Sequence, residues 1–109
     1  MTAETMTAEQ LAELLAAVRN HLDITWADPA LDEKLNGFLK RGVSRINDLG
    51  GTEQNFAEGT LARDLLFERC RFFRANAGEQ FEKSYQPEIN SLRLMQGVAQ
   101  YEADNPDVP

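Results

Sequence analysis

Very few side chains in this sequence are of a type that could carry out catalysis. The chain has one histidine, His21, and one cysteine, Cys70, and its carboxylates are dispersed along the sequence. His21 falls at the end of the first predicted helix, where the helix dipole favours a cation, and Cys70 falls inside a helix. We therefore predict a capping role for His21 and a structural role for Cys70. Because no catalytic triad can be assembled from these groups, the sequence predicts a protein that is not an enzyme.

Ligands for a metal or a cofactor are equally scarce. A zinc site needs more nitrogen and sulfur ligands than the two His and Cys residues that the chain holds. The segment 23–33 lacks the alternating acidic positions and the central glycine of an EF-hand loop. Gly50 and Gly51 are not followed by the residues of a phosphate-binding loop. We therefore predict no metal and no cofactor.

The most distinctive local pattern is a set of basic and aromatic residues in the third predicted helix. Arg63, Phe67, Arg71 and Arg74 fall within roughly 80° of one another on a regular helix. Such a stripe can be a solvated face whose arginines pair with acids on the same or neighbouring helices. It can also be a contact surface for an acidic neighbouring subunit, because Arg and aromatic residues are enriched in interfaces. In the second case, Phe67→Ala is expected to weaken self-association and to leave helicity intact.

Trp26 presents a similar pair of alternatives. It lies beside Asp28, which can cap the second helix, so its ring can pack as a hydrophobic staple at the start of that helix. It can also remain exposed as an anchor for a partner, because Trp buries a large area in interfaces. We keep Trp26, with the four residues of the stripe, as a candidate interface residue.

Length, composition and charge limit the class of protein. The 109 residues suit one domain spanning 1–109, and the 42% apolar and 27% charged content is typical of a globular chain. A net charge of −7 repels nucleic acid, so general DNA binding is disfavoured. The single cysteine is compatible with a reducing cytosol. Neither a secretory leader nor a run of about 20 apolar residues is present, so no membrane contact is predicted.

Two amphipathic helices with clear starting signals are predicted in the first half of the chain. The first begins at a capping box formed by Thr7 and Gln10. The second begins at Asp28, which is followed by a proline, and ends at Gly50, where two glycines can adopt the left-handed conformation. Their apolar faces contain Leu11, Leu14, Leu15, Val18 and Leu22 in the first helix, and Leu31, Leu35, Phe38, Leu39, Val43, Ile46 and Leu49 in the second.

The second half of the chain predicts a long central helix and a short one. The central helix runs from Thr60 to Asn76, and its pattern is compatible with continuation through Lys83. A proline at position 87 interrupts it, and a short fourth helix follows. Only residues 21–26 are expected to be locally extended, so the predicted fold class is all-α, a small bundle of about four helices. The termini, residues 1–6 and 103–109, are expected to be flexible and either to fray or to order on binding a neighbour. The apolar residues of the last two helices are Leu61, Leu65, Leu66, Cys70, Phe72 and Phe73, then Ile89, Leu92, Leu94 and Met95.

The order and spacing of several segments resemble the small α-helical head-to-tail connector proteins of long-tailed double-stranded DNA bacteriophages. The resemblance covers residues 9–95. It rests on the opening Leu-x-x-Leu helix that leads to Leu22-Asp-Ile-Thr-Trp26, on the region 32–39, on Ile46 with the exit at Gly50, and on the stretch from Arg74-Ala-Asn-Ala through Phe81 and Tyr85 to Leu92-Arg93. Where many members have two asparagines after the arginine, this chain has Ala75-Asn76.

The resemblance implies a structural virion protein. Members of this family form a ring of about a dozen subunits beneath the portal of a filled capsid, extending the DNA channel and offering a docking surface for the tail or its stopper. We therefore expect a homo-oligomeric ring of about twelve or thirteen copies that contacts the portal protein and a tail-completion or stopper protein. DNA would pass through it without sequence-specific binding. The protein would assemble in the host cytoplasm and reside in the virion, at the head-tail interface.

Two other classes of protein fit the sequence less well. A helix-turn-helix regulator is disfavoured because the connection between the second and third helices is too long and the net charge has the wrong sign. A small helical adaptor or inhibitor, binding a host protein as a monomer or dimer through the same basic and aromatic stripe, remains an alternative.

Overall fold

The computed structural model of the protein describes residues 6–104, and these form α-helices joined by turns and loops. The helices are α1 (Ala8–His21), α2 (Pro29–Gly50), α3 (Leu61–Arg74), α4 (Phe81–Ser84) and α5 (Gln86–Asp104), with a 3₁₀ turn at Gly78–Gln80 before α4. No strand occurs in this part of the chain. The predicted all-α class and the small bundle are therefore confirmed.

Local side-chain signals define the starts of the first two helices as predicted. The hydroxyl oxygen of Thr7 accepts a hydrogen bond from the Gln10 amide at 3.1 Å, and the Gln10 side chain accepts one from the Thr7 amide at 2.9 Å. Asp28 caps α2 by accepting from the amide of Leu31 at 3.1 Å. The end of α2 is also as predicted, because Gly51 follows the helix in the left-handed region, with φ of 85°. Each cap satisfies backbone groups that the helix itself leaves unpaired.

Two non-glycine residues in the left-handed region stop α1 and α3. Asp23 and Asn76 both have φ of 59°. The amide after each of them donates to a carbonyl five positions back, from Ile24 to Arg19 and from Ala77 to Phe72, each at 2.8 Å. This is the Schellman arrangement, which ends a helix. The predicted extension at 21–26 is therefore a helix stop in its first half, and the continuation of α3 through Asn76 to Lys83 is wrong.

The core lies between α2 and α3, with α1 packed along one part of this pair and α5 along another. α2 and α3 approach closely at Gly42, where an added Cβ atom would come within 2.5 Å of the Leu66 side chain. α3 contacts every other helix, so it is central as predicted, although α2 is longer. The buried apolar residues are Leu14, Val18, Ile24, Leu35, Leu39, Val43, Ile46, Ala62, Leu65, Leu66, Phe67, Cys70, Phe81, Ile89 and Leu92.

The last helix differs most from the prediction. α5 is 19 residues long rather than short, and it includes Ala103 and Asp104, which were expected to belong to a flexible end. Met6, expected to be flexible as well, packs against the core and is partly buried. The remaining predictions for the termini concern residues 1–5 and 105–109, which lie outside the described residues. α5 has no buried residue after Leu92, so its second half projects from a molecule measuring 52 × 30 × 24 Å.

Candidate functional site

The densest group of polar contacts surrounds the carboxylate of Glu68 in α3. Arg71 donates to Oε1 of Glu68 through Nε at 3.0 Å and through Nη2 at 2.6 Å. The hydroxyl of Tyr85 donates to the same oxygen at 2.7 Å, and Nε2 of His21 lies 2.6 Å from Oε2. We refer to His21, Glu68, Arg71 and Tyr85 as the Glu68 cluster. It joins the end of α1, the middle of α3 and the junction between α4 and α5.

The Glu68 cluster holds its carboxylate in the ionised form. The hydrogen bonds from Arg71 lower the pKa of Glu68 most; burial opposes them, Tyr85 and His21 add to them, and the pKa falls to about 2. The same hydrogen bonds raise the pKa values of Arg71 and Tyr85. A carboxylate with so low a pKa is a poor general base at neutral pH. The arrangement is therefore suited to fastening three elements together.

A second ion pair joins α1 to α3 in the part of the bundle near the 53–57 loop. Both terminal nitrogens of Arg63 donate to the Glu13 carboxylate, at 2.9 and 2.7 Å, and Nη1 also donates to the carbonyl of Phe56 at 3.2 Å. The guanidinium carbon of Arg63 lies 5.1 Å from the centre of the Phe67 ring. The hydrogen bond with Glu13 raises the pKa of Arg63 and, in return, lowers the pKa of Glu13. Arg63 is thereby committed to a contact within the subunit.

The predicted stripe on α3 is not one exposed surface. Arg63 and Phe67 are only 8% and 6% exposed, so the expectation that they form a contact surface is wrong. Both lie inside because α1 covers this side of α3. Arg71 is exposed but pairs with Glu68, and Arg74 is exposed at the last position of α3. The alternative, in which the arginines pair with acids on the same or a neighbouring helix, is the one that the structure shows for Arg63 and Arg71.

Trp26 lies apart from this stripe, in the connection between α1 and α2. Its side chain is 50% exposed, so the interpretation as a packed staple is not supported. The Trp26 carbonyl accepts a hydrogen bond from Arg19, which also pairs with Asp32 at 2.6 Å. The backbone is therefore held by Arg19 of α1, which Asp32 of α2 holds in turn, while the indole ring remains accessible.

The single thiol and the carboxylates offer little for chemistry or metal binding. Cys70 is 1% exposed, and burial raises the pKa of its thiol to about 12, which keeps it protonated and unreactive. Among residues 6–104, no group of three His, Cys, Asp or Glu side chains is placed to hold a metal ion. None of the helices in the same range is both long and apolar enough to cross a bilayer.

The projecting half of α5 carries exposed apolar residues, and of these Val98 and Tyr101 lie beyond the short fourth helix that the sequence predicts. Leu94, Val98 and Tyr101 recur at helical spacing and are 69%, 50% and 56% exposed; we call these three residues the outer stripe. Leu92 is buried, and Leu94, only two positions further on, points roughly 160° away from it on the helix. The helical period could have separated these two leucines from the sequence alone.

An open groove runs along the exposed side of α1. Ala12, Leu15, Ala16, Arg19 and Ile24 are among the residues that line its volume of about 470 Å³; we call it the α1 groove. A second cavity, of about 310 Å³, lies between α1, α2 and the 53–57 loop and includes Glu13. Because Glu13 is bound to Arg63, this second cavity has one of its carboxylates already engaged.

No family model, curated protein or solved structure matches this chain. What the chain itself offers is a set of intramolecular polar contacts together with two exposed surfaces, the outer stripe and the α1 groove.

Proposed function

We propose that this protein is a structural virion component, a head-tail connector that forms a ring beneath the portal of a long-tailed double-stranded DNA bacteriophage. The observation that carries the proposal is the outer stripe. A helix that projects from a bundle is expected to be polar on the side that faces away from the bundle, yet α5 has exposed Leu94, Val98 and Tyr101 there. A contiguous exposed apolar patch of this kind marks a surface that another protein covers.

Two further features support an assembly role over a catalytic one. The ionisable groups with the strongest contacts, in the Glu68 cluster and the Arg63–Glu13 pair, are engaged with each other, even where Glu13 lines the second cavity. The net charge of −7 also suits the wall of a channel through which DNA must slide, because fixed negative charge gives the phosphates no binding site. Together with the resemblance over residues 9–95, these features favour the phage connector.

In the proposed ring, each of about twelve or thirteen copies repeats the same contact with its neighbour, so a modest surface on each copy yields a stable closed assembly. One end of the ring meets the portal protein. The other end receives the tail-completion or stopper protein. The protein is then located in the virion, after assembly in the host cytoplasm.

Native mass spectrometry over a wide range of concentration tests the assembly, together with binding to DNA-filled phage heads that carry a portal but lack this protein. We expect a discrete species of about twelve or thirteen copies, either in solution or on the heads. The matched control is heads without a portal, which should bind nothing. Failure to bind portal-bearing heads, in a protein that remains monomeric or dimeric, would contradict the proposal.

A small adaptor that binds a host protein is the second candidate, and one observation favours it. Trp26 is half exposed on an anchored segment, as expected for a hot-spot residue at a binary interface. The α3 stripe cannot serve this function in full, because Arg63 and Phe67 are buried. Stoichiometric binding to one host protein that is abolished by Trp26→Ala, in a protein that does not bind heads, would favour the adaptor.

A further inference from the structure

α5 is apolar on two opposite sides. Ile89 and Leu92 face the bundle and are buried, whereas the outer stripe, Leu94, Val98 and Tyr101, occupies a sector of roughly 60° on the far side. Leu94 and Tyr101, at the two ends of the stripe, are seven residues apart, which corresponds to about 10 Å along the helix axis. The stripe is therefore the right size to pack against two turns of another helix.

The α1 groove has matching dimensions and chemistry. It extends along α1 from Ala12 to Asn20, which is about 12 Å at the helical rise. Ala12 and Ala16 are one turn apart and exposed, and their small side chains let a second helix approach closely. Leu15, which is partly exposed, supplies apolar surface beside them, over the buried Ile24. The groove therefore accepts a helix that presents medium-sized apolar side chains.

Charges at the two ends give the contact a direction. On α5, Arg93, whose Nε donates to the Leu49 carbonyl at the end of α2, precedes the outer stripe, and two acids, Glu102 and Asp104, follow it. On α1 the order is reversed, with Glu9 before the groove and Arg19 at its far end, although Asp32 offsets part of the Arg19 charge. Opposite charges meet when the two helices run parallel, and like charges meet when they run antiparallel.

The two surfaces cannot satisfy each other within one subunit. Among the described residues, α1 and α5 do not contact each other, and each packs separately against the α2–α3 pair. A contact between the outer stripe of one copy and the α1 groove of another joins unlike surfaces. Such heterologous contacts repeat from copy to copy and close into a ring when the rotation permits.

We propose that the outer stripe of α5 docks, in the parallel direction, into the α1 groove of a second copy of this chain. Leu94 then lies near Ala12 of the neighbour, and Val98 lies near Ala16. This inference rests on the proposed function, because it identifies the contact that repeats around the connector ring. It also explains why α5, which already buries Ile89 and Leu92 against the bundle, carries leucine and valine on its far side.

Cysteine cross-linking between two differently marked variants tests the contact directly, even if it is weak. A mixture of Val98→Cys and Ala16→Cys should give about tenfold more disulfide-linked heterodimer than a mixture of Val98→Cys and Ala30→Cys, because docking raises the local thiol concentration. Ala30 is an exposed alanine on α2, and the buried Cys70 does not compete. Equal yields from the two mixtures would overturn the proposal. Cross-linking of Leu94→Cys to Asn20→Cys in preference to Ala12→Cys would overturn the parallel direction.

Complementation distinguishes a contact between unlike surfaces from a symmetric one. Val98→Glu and Ala16→Glu should each prevent ring formation, while Ala103→Glu, on the opposite side of α5, and Ala30→Glu should not. A mixture of Val98→Glu and Ala16→Glu retains one intact stripe and one intact groove, so it should form 1:1 dimers and nothing larger. Absence of these dimers, in proteins with normal helical circular dichroism, would contradict the contact.

The outcomes separate this inference from the function on which it rests. If Val98→Glu and Ala16→Glu form rings on portal-bearing heads as the wild type does, the contact proposed here is wrong and the connector function stands. If Ala16→Cys and Val98→Cys cross-link efficiently but the wild type does not bind such heads, the contact stands and the connector function is wrong.

Discussion

The hydroxyl of Tyr85 donates a 2.7 Å hydrogen bond to Oε1 of Glu68, and this bond ties the start of α5 to the middle of α3. Tyr85 lies immediately before α5, so its position helps to determine the direction in which that helix leaves the bundle. The ring of Tyr85 also packs against Phe81 and Phe72, with centroids 5.3 and 5.8 Å apart. The Glu68 cluster therefore helps to orient the surface that we propose for assembly.

The protein is expected to lose stability as the pH falls from about 4.5 toward about 2. The pKa of Glu68 is about 2 in the folded protein, below its ordinary value of 4.5, so the unfolded chain binds the proton more readily. Glu68→Gln should remove this part of the acid sensitivity and lower the free energy of unfolding at neutral pH by about 1–2 kcal/mol, allowing for partial solvent exposure. Urea unfolding followed by circular dichroism at several pH values measures both effects.

Glu79→Gln is the matched control, because Glu79 is exposed in the 3₁₀ turn. This substitution should change the free energy of unfolding by less than about 0.5 kcal/mol. If Glu68→Gln retained the same decline in stability between pH 4.5 and pH 2 as the wild type, the role assigned to Glu68 would be wrong.

Phe67→Ala is expected to destabilise the folded subunit rather than only its self-association. Phe67 is 6% exposed and packs in the core, so truncation to alanine should lower the free energy of unfolding by about 3 kcal/mol or more. Val98→Ala, on the exposed outer stripe, should cost less than about 0.5 kcal/mol. Chemical denaturation of the two variants compares them directly. Wild-type stability in Phe67→Ala, combined with reduced assembly, would instead support the original surface interpretation.

Asn76→Gly should stabilise the protein. Asn76 has φ of 59° at the end of α3, a conformation that glycine adopts without steric cost. The expected gain in the free energy of unfolding is about 0.5–1 kcal/mol, whereas Asn76→Val should be destabilising, because a β-branched residue is strained there. Thermal unfolding of both variants measures the difference. A lower melting temperature for Asn76→Gly would contradict the assignment of this residue as the helix stop.

Fluorescence of Trp26, the only tryptophan, should report assembly without a label. The indole is 50% exposed and follows Thr25, which lines the α1 groove. Acrylamide should therefore quench the isolated subunit efficiently and the assembled protein less, because a docked α5 shields the groove. The Val98→Glu variant should show the same efficient acrylamide quenching as the isolated subunit, also under conditions in which the wild type assembles. Identical quenching before and after assembly would place the neighbouring copy elsewhere.

Local signals were sufficient to predict much of this fold. The Thr7–Gln10 capping box and the Asp28 cap act within a few residues, so their geometry follows directly from the sequence. The end of α1 at His21 and an end of α3 near Asn76 were predicted, but Asp23 and Asn76 were not identified as the residues that stop these helices. Neither is glycine, although Asn and Asp are the other residues that tolerate the left-handed region. A helix stop of this kind also depends on the backbone carbonyls of the preceding helical turn, because they must accept the hydrogen bonds that close the Schellman arrangement.

The candidate surface was harder to predict, because it depends on how the helices pack. α3 has neighbours on several sides, so its buried surface is wider than one apolar stripe and includes Arg63, whose charge Glu13 of α1 neutralises. A single-helix periodicity cannot anticipate that pairing. The helical period of α5 was sufficient to predict the outer stripe, because Leu92 and Leu94 are two positions apart and cannot lie on the same narrow face of a helix.

The projecting half of α5 also affects how the isolated protein will behave in a separation column. The Cα radius of gyration is 15.1 Å, whereas a compact chain of this length has a value of about 13 Å. An elongated particle diffuses more slowly than a sphere of equal mass, so a single copy will elute early from a gel-filtration column and resemble a larger species. Light scattering and sedimentation equilibrium measure molecular mass independently of shape. Either method will distinguish an extended monomer from a dimer.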